Sequence, residues 1–439
     1  MINVEYINDY DEIKALQRSN SQNKNMDNKD ITNSVSVILE NVRSKGLDAV
    51  KKYNSKFDNT IKIDCYYPDD FKKAYELIDD RFKKILTVSA QNIRNFHIHQ
   101  LKNEEIALNF DDYSLGELTV PLNRVAVYVP GGTASYPSTV LMCVIPAKIA
   151  GVKKVIIYTP ARKTQDFNLD ILAAAHVAHA DEIIMVGGVH GLGLAAYGAG
   201  DFEPVDKIVG PGNIYVATAK KLLYGVCDID MIAGPSEIVI IADDSANPSF
   251  IASDMISQAE HDVRAVAILI TTSKAICGST IQELEQQIKQ LSRNTIITES
   301  LTSNSRIFVC KTHELALSLA NAIAPEHLEL QTENPEQDLK KIHNAGSVFL
   351  GNFTPEPVGD YHAGLNHVLP TSGTARFFSP LSVASFTKTI QYAYYSKKKL
   401  KESADDIIGF AEREGFSGHA NSIKTRLEQS NSNKNLDKN

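Results

Sequence analysis

From Arg124 onward the chain settles into a repeating texture that leaves few folds open. Short β-branched runs, "RVAVYVP", "KVIIYT", "EIIMVGG", "VDKIVGP", "EIVIIAD", "AVAILIT", "SRIFVC" and "GSVFLG", alternate with alanine-rich segments of helical spacing. Strand–helix alternation of this kind predicts parallel sheets covered by helices on both faces, an α/β fold. Eight such strands in roughly 230 residues suit either one closed barrel or two doubly wound units. "AGPSE" (233–237) is a natural seam between two halves.

The flanks read differently. Residues 1–110 are charged and helical in pattern: "NSVSVILENVRSKGLDAVKKYNSKF" carries apolar positions at helical spacing, after a polar loop at 19–30. From about Leu381 the pattern returns to helix, with "SADDIIGFAEREGF" and "GHANSIKTRLEQS" as two short helices before a polar end. At 439 residues the chain exceeds one ordinary core. The expected division is a helical segment 1–110, a nucleotide-side unit 111–235, a second unit 236–380 with the metal and base residues, a helical tail 381–428 and a disordered end 429–439.

Charge narrows the partners. A net charge of −8 disfavours nucleic acid and anionic membrane surfaces, both of which select a basic face. The five cysteines are scattered without a CxxC, as reduced thiols of a cytoplasmic protein would be. The long uncharged window Val125 to Ala147 is broken by Pro130, Gly131, Gly132, Pro137 and Pro146, so no membrane span is expected.

Three glycine turns follow strands. "GLGLAA" (191–196) matches GxGxxA, but Gly187 and Gly188 already make that strand-to-helix turn, which places Gly191 and Gly193 inside the helix. "VPGGTASYPST" and "VGPGN" are turns at the carboxyl ends of strands, where open α/β sheets bind ligands and backbone N–H groups meet anions. Each also suits an ordinary tight connection.

Acid and imidazole groups cluster further along. In "SFIASDMISQAEH", Gln258 and His261 are spaced i, i+3 and project to neighbouring positions, as two ligands for one ion would. Asp360, His362 and His367 fall in the glycine-rich "PVGDYHAGLNHVLPTSGTARF", and Glu414 and His419 on a link between helices. This mix of oxygen and imidazole donors suits zinc or a similar divalent ion. "APEHLEL" puts Glu326 before His327; the pair reads either as two general bases or as a surface acid beside a capping histidine.

Taken in order, "IDMIAGPSEIVIIAD", "SQAEH", "APEHLEL", "GDYHAGLNHVLPT" and the terminal "E…GHA" resemble the histidinol dehydrogenase family over roughly residues 30–428. The resemblance implies a zinc (Zn2+) and NAD-dependent homodimer that oxidises L-histidinol to L-histidine through a bound aldehyde, using two NAD, in the last steps of histidine synthesis. It implies two Rossmann-like doubly wound parallel-sheet domains, an N-terminal helical segment and a helical C-terminal tail exchanged in the dimer. Gln258, His261, Asp360 and His419 match the zinc ligands, with His419 reaching across the dimer. Glu326 and His327 match the proton acceptors. Ser236, His367 and Glu414 match substrate contacts, alongside the four ligands and His327. Tyr128, His190 and Asn213 fall on the NAD site, although the family usually has glutamine where this chain has His190. His362 is a bystander. The alternative is a dehydrogenase of another small alcohol or diol on the same scaffold.

Overall fold

The computed structural model describes residues 2–24, 29–101, 106–131, 135–161 and 169–432. Its strands, in chain order, are β1 (Asn3–Ile7), β2 (Cys65–Tyr66), β3 (Ile106–Asn109), β4 (Tyr113–Pro121), β5 (Arg124–Tyr128), β6 (Lys154–Tyr158), β7 (Glu182–Ile184) and β8 (Lys207–Val209). They continue with β9 (Asp228–Ile229), β10 (Glu237–Ala242), β11 (Val266–Thr271), β12 (Arg306–Cys310), β13 (His327–Gln331), β14 (Ser347–Leu350) and β15 (Thr387–Tyr395).

Two open six-stranded sheets follow the same plan. One runs β2-β7-β6-β5-β8-β9 and the other β1-β12-β11-β10-β13-β14. Within each, the five strands other than the added edge strand are parallel, and the first in sequence lies at the centre with later strands on either side. This is the doubly wound arrangement, with switch points between β5 and β8 and between β10 and β13. The open edges exclude the barrel.

Helices cover both faces because the strands are apolar on both. In β5 and the residue after it, Val125, Val127 and Val129 pack among the helices Asp80–His97, Pro137–Ile149 and Leu169–Ala178. Ala126 and Tyr128 face Lys29–Lys45, Gly188–Tyr197 and Ile214–Leu223. Gly191 and Gly193 lie inside Gly188–Tyr197, as expected. A Cβ on Gly193 would stand 3.2 Å from Val42, so the glycine lets the two helices approach closely. In β10, Ile238, Ile240 and Ala242 face the helix Pro248–Ala259, while Val239 and Ile241 face His313–Ile323.

Three local readings are corrected. Asn3–Ile7 is a strand within the flank read as helical; it pairs in parallel with β12, so a sheet edge overrides the charged local texture. Thr387–Tyr395 is also a strand: its threonines, isoleucine and tyrosines favour an extended chain that the helical reading missed. Residues 19–24 are not loop but continue the helix Tyr10–Lys24, which Asp9 caps through the N–H groups of Asp11 and Glu12. Polar residues extend a helix at little cost once it has a nucleus. Likewise 429–432 belong to the helix Ser417–Ser432, and the rest of the end expected to be disordered lies outside the described residues.

The chain divides into two compact units, Met1–Leu101 with Pro121–Phe386, and Lys102–Val120 with Thr387–Asn439. The second holds the sheet β15-β4-β3 and the helices Lys397–Glu402, Ala404–Arg413 and Ser417–Ser432. Among the described residues no helix is long and apolar enough to cross a membrane.

Candidate active site

The acid–imidazole pair sits at the amino end of β13. His327 is its first residue, Glu326 precedes it, and the two are 5% and 6% exposed. Both side chains turn to the main chain of a single residue. The Glu237 N–H donates to Glu326 Oε2 at 2.9 Å, and the Glu237 carbonyl lies 3.2 Å from His327 Nδ1. A carbonyl only accepts, so Nδ1 carries the proton and Nε2 is left with its lone pair. Nε2 has no hydrogen-bond partner among the described residues. Burial, opposed in part by Asp360 and the Glu237 carbonyl, pushes the imidazole down to about 4, so it is neutral at pH 7. Burial pushes the Glu326 carboxyl well above its usual range, and the Glu237 N–H pulls the other way.

Above Nε2 lie two carboxyls from the segment after β14. Glu356 Oε1 is 4.0 Å away, and His327, Glu356 and Asp360 can bring ligand atoms within 4.8 Å of one another. Asp360 sits in a single π-turn, Gly359–Ala363, of the kind that often marks functional positions. Gly364 ends that turn at φ 92°, where a Cβ would stand 2.4 Å from the Asn92 carbonyl, so only glycine fits. Burial, followed by the charge and hydrogen bond of Asp360, pushes Glu356 up to about 9. His367 Nδ1 is 3.8 Å from Asp360 Oδ1, and burial pushes this imidazole down.

The Gln258 segment closes the group. Gln258 lies in the last turn of Pro248–Ala259, and His261 follows just past the cap, its N–H on the Gln258 carbonyl at 3.3 Å. His261 and His367 both stand close enough to oppose a charge on His327, and Glu260 acts in the same way on Tyr361. Gln258 is 1% exposed, yet neither end of its amide has a partner among the described residues. Orphaned amides at such depth are rare and costly, and a bound cation would satisfy the oxygen. Amide oxygen, imidazole and carboxylate are a donor set that zinc accepts, so these residues fit the ion that the resemblance implies. Ser236 immediately precedes Glu237, and its carbonyl is held by the Val266 N–H.

Sequence reasoning missed three groups. Glu356 stands between two prolines and four residues before Asp360, a helical spacing that could have signalled it. Glu329, two residues after His327, shares its face of the strand. Burial pushes its carboxyl well above the usual range, and it hydrogen-bonds the half-buried Asp254, so a proton lies between the two.

Tyr128, His190 and Asn213 belong to the first sheet. Tyr128 ends β5; its hydroxyl accepts the Gly188 N–H at 3.3 Å, and burial pushes the phenol up to about 12. Asn213 caps the helix Ile214–Leu223, accepting the N–H groups of Tyr215 and Val216. Between them Gly210 takes φ 110° and passes so close to the Tyr128 carbonyl that a Cβ would lie 2.3 Å from it. Its N–H donates to Asp230 at 2.7 Å and its carbonyl accepts from Lys220 at 3.0 Å, while Lys220 and Asp230 form a buried ion pair. This glycine turn lies at the carboxyl ends of β5 and β8, the switch point where doubly wound sheets take nucleotides such as NAD. His190 is more enclosed: it is 1% exposed and its Nε2 meets Asn54 Oδ1 at 2.7 Å, between Tyr53 and Phe57.

Glu414 and His419 lie in the second unit. Glu414 closes the helix Ala404–Arg413, and His419 stands in Ser417–Ser432 with its ring 5.2 Å from that of Phe416.

Over residues 21–427 the sequence matches the family model of histidinol dehydrogenase. It is 47% identical to the histidinol dehydrogenase of Listeria innocua serovar 6a, across 96% of this chain and 97% of that one. With the enzyme of the same name from Clostridium acetobutylicum it shares 46% identity, across 93% and 95%. The crystal structure of histidinol dehydrogenase from Elizabethkingia anophelis superposes with a TM-score of 0.87 at 34% identity, covering 98% of this chain and 99% of that one.

Proposed function

The chain belongs to the histidinol dehydrogenase family, and on that footing we propose that it oxidises L-histidinol to L-histidine through a bound aldehyde, with zinc and two NAD. Gln258, His261 and Asp360 would hold the zinc, with His419 supplied across a homodimer. Tyr128, Asn213 and the Gly210 turn would face NAD, with His190 behind them. Zinc held there would supply a Lewis acid that orients the substrate, and NAD would supply the hydride acceptor.

The chain's own groups then handle the protons. In the first oxidation His327 Nε2 takes the hydroxyl proton as the C–H bond gives up its hydride. The Glu237 carbonyl keeps the opposite nitrogen protonated and steadies the imidazolium that forms. Glu326 then takes a proton from water as that water adds to the aldehyde, which needs the ionised form that burial disfavours. The Glu237 N–H favours this ionised form. In the second oxidation His327 takes the proton of the hydrate. His367, Ser236 and Glu414 hold the substrate. Reduced thiols at all five cysteines, four of them buried, suit a cytoplasmic setting.

One observation carries this reading: the buried His327 Nε2 has no hydrogen-bond partner among the described residues and stands beside the carboxyls of Glu356 and Asp360. The test is turnover of L-histidinol by the zinc-loaded protein with NAD. Two NADH per histidinol, loss of activity on chelation and recovery with zinc are expected. One NADH per molecule, or full activity after the metal is stripped, overturns the proposal.

A further inference from the structure

Strand β13 carries an odd face. His327, Glu329 and Gln331 alternate along it, and all three are buried. Their neighbours in β10 are Ile238, Ile240 and Ala242, so polar residues stand where an ordinary sheet core would place aliphatic ones. His327 has a task in the proposed chemistry; the other two have none there.

The hydrogen bonds of Glu329 give it one. Glu329, 1% exposed, accepts the Glu356 N–H through Oε1 at 2.9 Å. Its Oε2 accepts from Gln331 Nε2 at 2.9 Å, and the same amide nitrogen reaches Asp254 Oδ2 at 2.8 Å. Asp254 lies one helical turn before Gln258, and Glu356 lies four residues before Asp360. Three segments distant in sequence thus meet at one carboxylate: the strand with His327, the helix with Gln258 and the loop with Asp360.

We propose that Glu329 is a positioning residue, fixing the spacing of the segments that carry the metal donors and the base without touching ion or substrate itself. The inference rests on the reading of the site given above. Partners behind the ligands commonly alter metal affinity by about 10–100-fold when removed, and Glu329 holds two of the ligand-bearing segments at once.

The test uses the full-length, metal-stripped protein, with zinc alone titrated against a chromophoric chelator and melting followed in parallel. Glu329→Gln keeps the shape but puts an N–H2 group where the Glu356 N–H or Gln331 Nε2 needs an acceptor. Glu329→Asp keeps the carboxyl group but falls one methylene short, and it serves if the first variant does not fold. Leu328→Ala, on the opposite face of the same strand, controls for general loosening. Zinc affinity should fall at least about tenfold in the Glu329 variant, with kcat falling as well, whereas Leu328→Ala should lower the melting temperature and keep its affinity. Wild-type affinity in the Glu329 variant, or an equal loss in Leu328→Ala, overturns the inference alone. Failure of the wild-type protein to take up zinc overturns the functional reading, and this inference with it.

Discussion

Replacing His327 by Asn separates the two nitrogens of one ring. The Asn amide N–H can stand near Nδ1, 3.2 Å from the Glu237 carbonyl, and preserve that hydrogen bond. The far edge of the ring, with the Nε2 lone pair beside Glu356 and Asp360, is lost. The variant should therefore fold and load zinc, while its chemistry loses a general base. Such a base is worth about 10²–10⁴ in rate, or roughly 3–5 kcal/mol of barrier. Both half-reactions should slow by this factor, because one nitrogen serves both. Initial rates of NADH formation are measured from histidinol and, separately, from the aldehyde, beside zinc content and melting temperature. Protonation of His327 removes the acceptor, so wild-type activity should fall as pH falls, and the residual rate of the variant should lose that limb. A loss under tenfold in both half-reactions, with zinc and fold intact, would refute the assignment of the base.

Three further outcomes follow from the same geometry. Glu326→Gln should mainly slow conversion of aldehyde to acid; stopped-flow rates showing equal loss in both steps would contradict the division of labour. Mixing inactive His261→Ala and His419→Ala chains should restore part of the activity in mixed dimers, one site carrying both lesions and the other neither; no recovery despite verified mixing counts against a shared site. His190 is pushed by burial from 6.5 to about 4, so the unfolded chain takes up its proton first and stability drains as pH falls from 6.5 towards 4. At pH 5 this amounts to about 2 kcal/mol, and His190→Gln should abolish it; urea unfolding at pH 7 and pH 5 that gives both proteins the same difference would rule it out.

The alternation of β-branched and alanine-rich runs was enough to indicate parallel sheet covered on both faces, because strands buried on both faces must be apolar throughout, but it suited one barrel as well as two sheets. The strand that carries the chemistry was hidden for the same reason. Three of the five residues of "HLELQ" are polar and buried, so the segment reads as a turn or cap, and only its pairing with β10 and β14 makes it a strand. Residues whose types announce chemistry in short motifs were legible: Glu326, His327, Asp360 and His367 meet at one place, with His261 beside them. Glu329 and Asp254 were not, because an isolated carboxylate looks the same in sequence whether solvated or buried, and only the folded chain brings them together with Glu356. Asn3–Ile7 was lost to the same limit, since its strand character comes from pairing with β12, whereas the residues of Thr387–Tyr395 already favour an extended chain and were misread.

The main chain of Glu237 grips the acid with its N–H and the imidazole with its carbonyl. The tautomer of the base is thus inscribed in main chain rather than in any side chain. The side chain of Glu237 adds to this, since its carboxyl accepts the Ser372 N–H and its charge opposes ionisation of Glu326. Proline at 237 would take away the N–H that steadies the acid and spare the carbonyl that orients the imidazole, and so would part the fate of one group from that of the other.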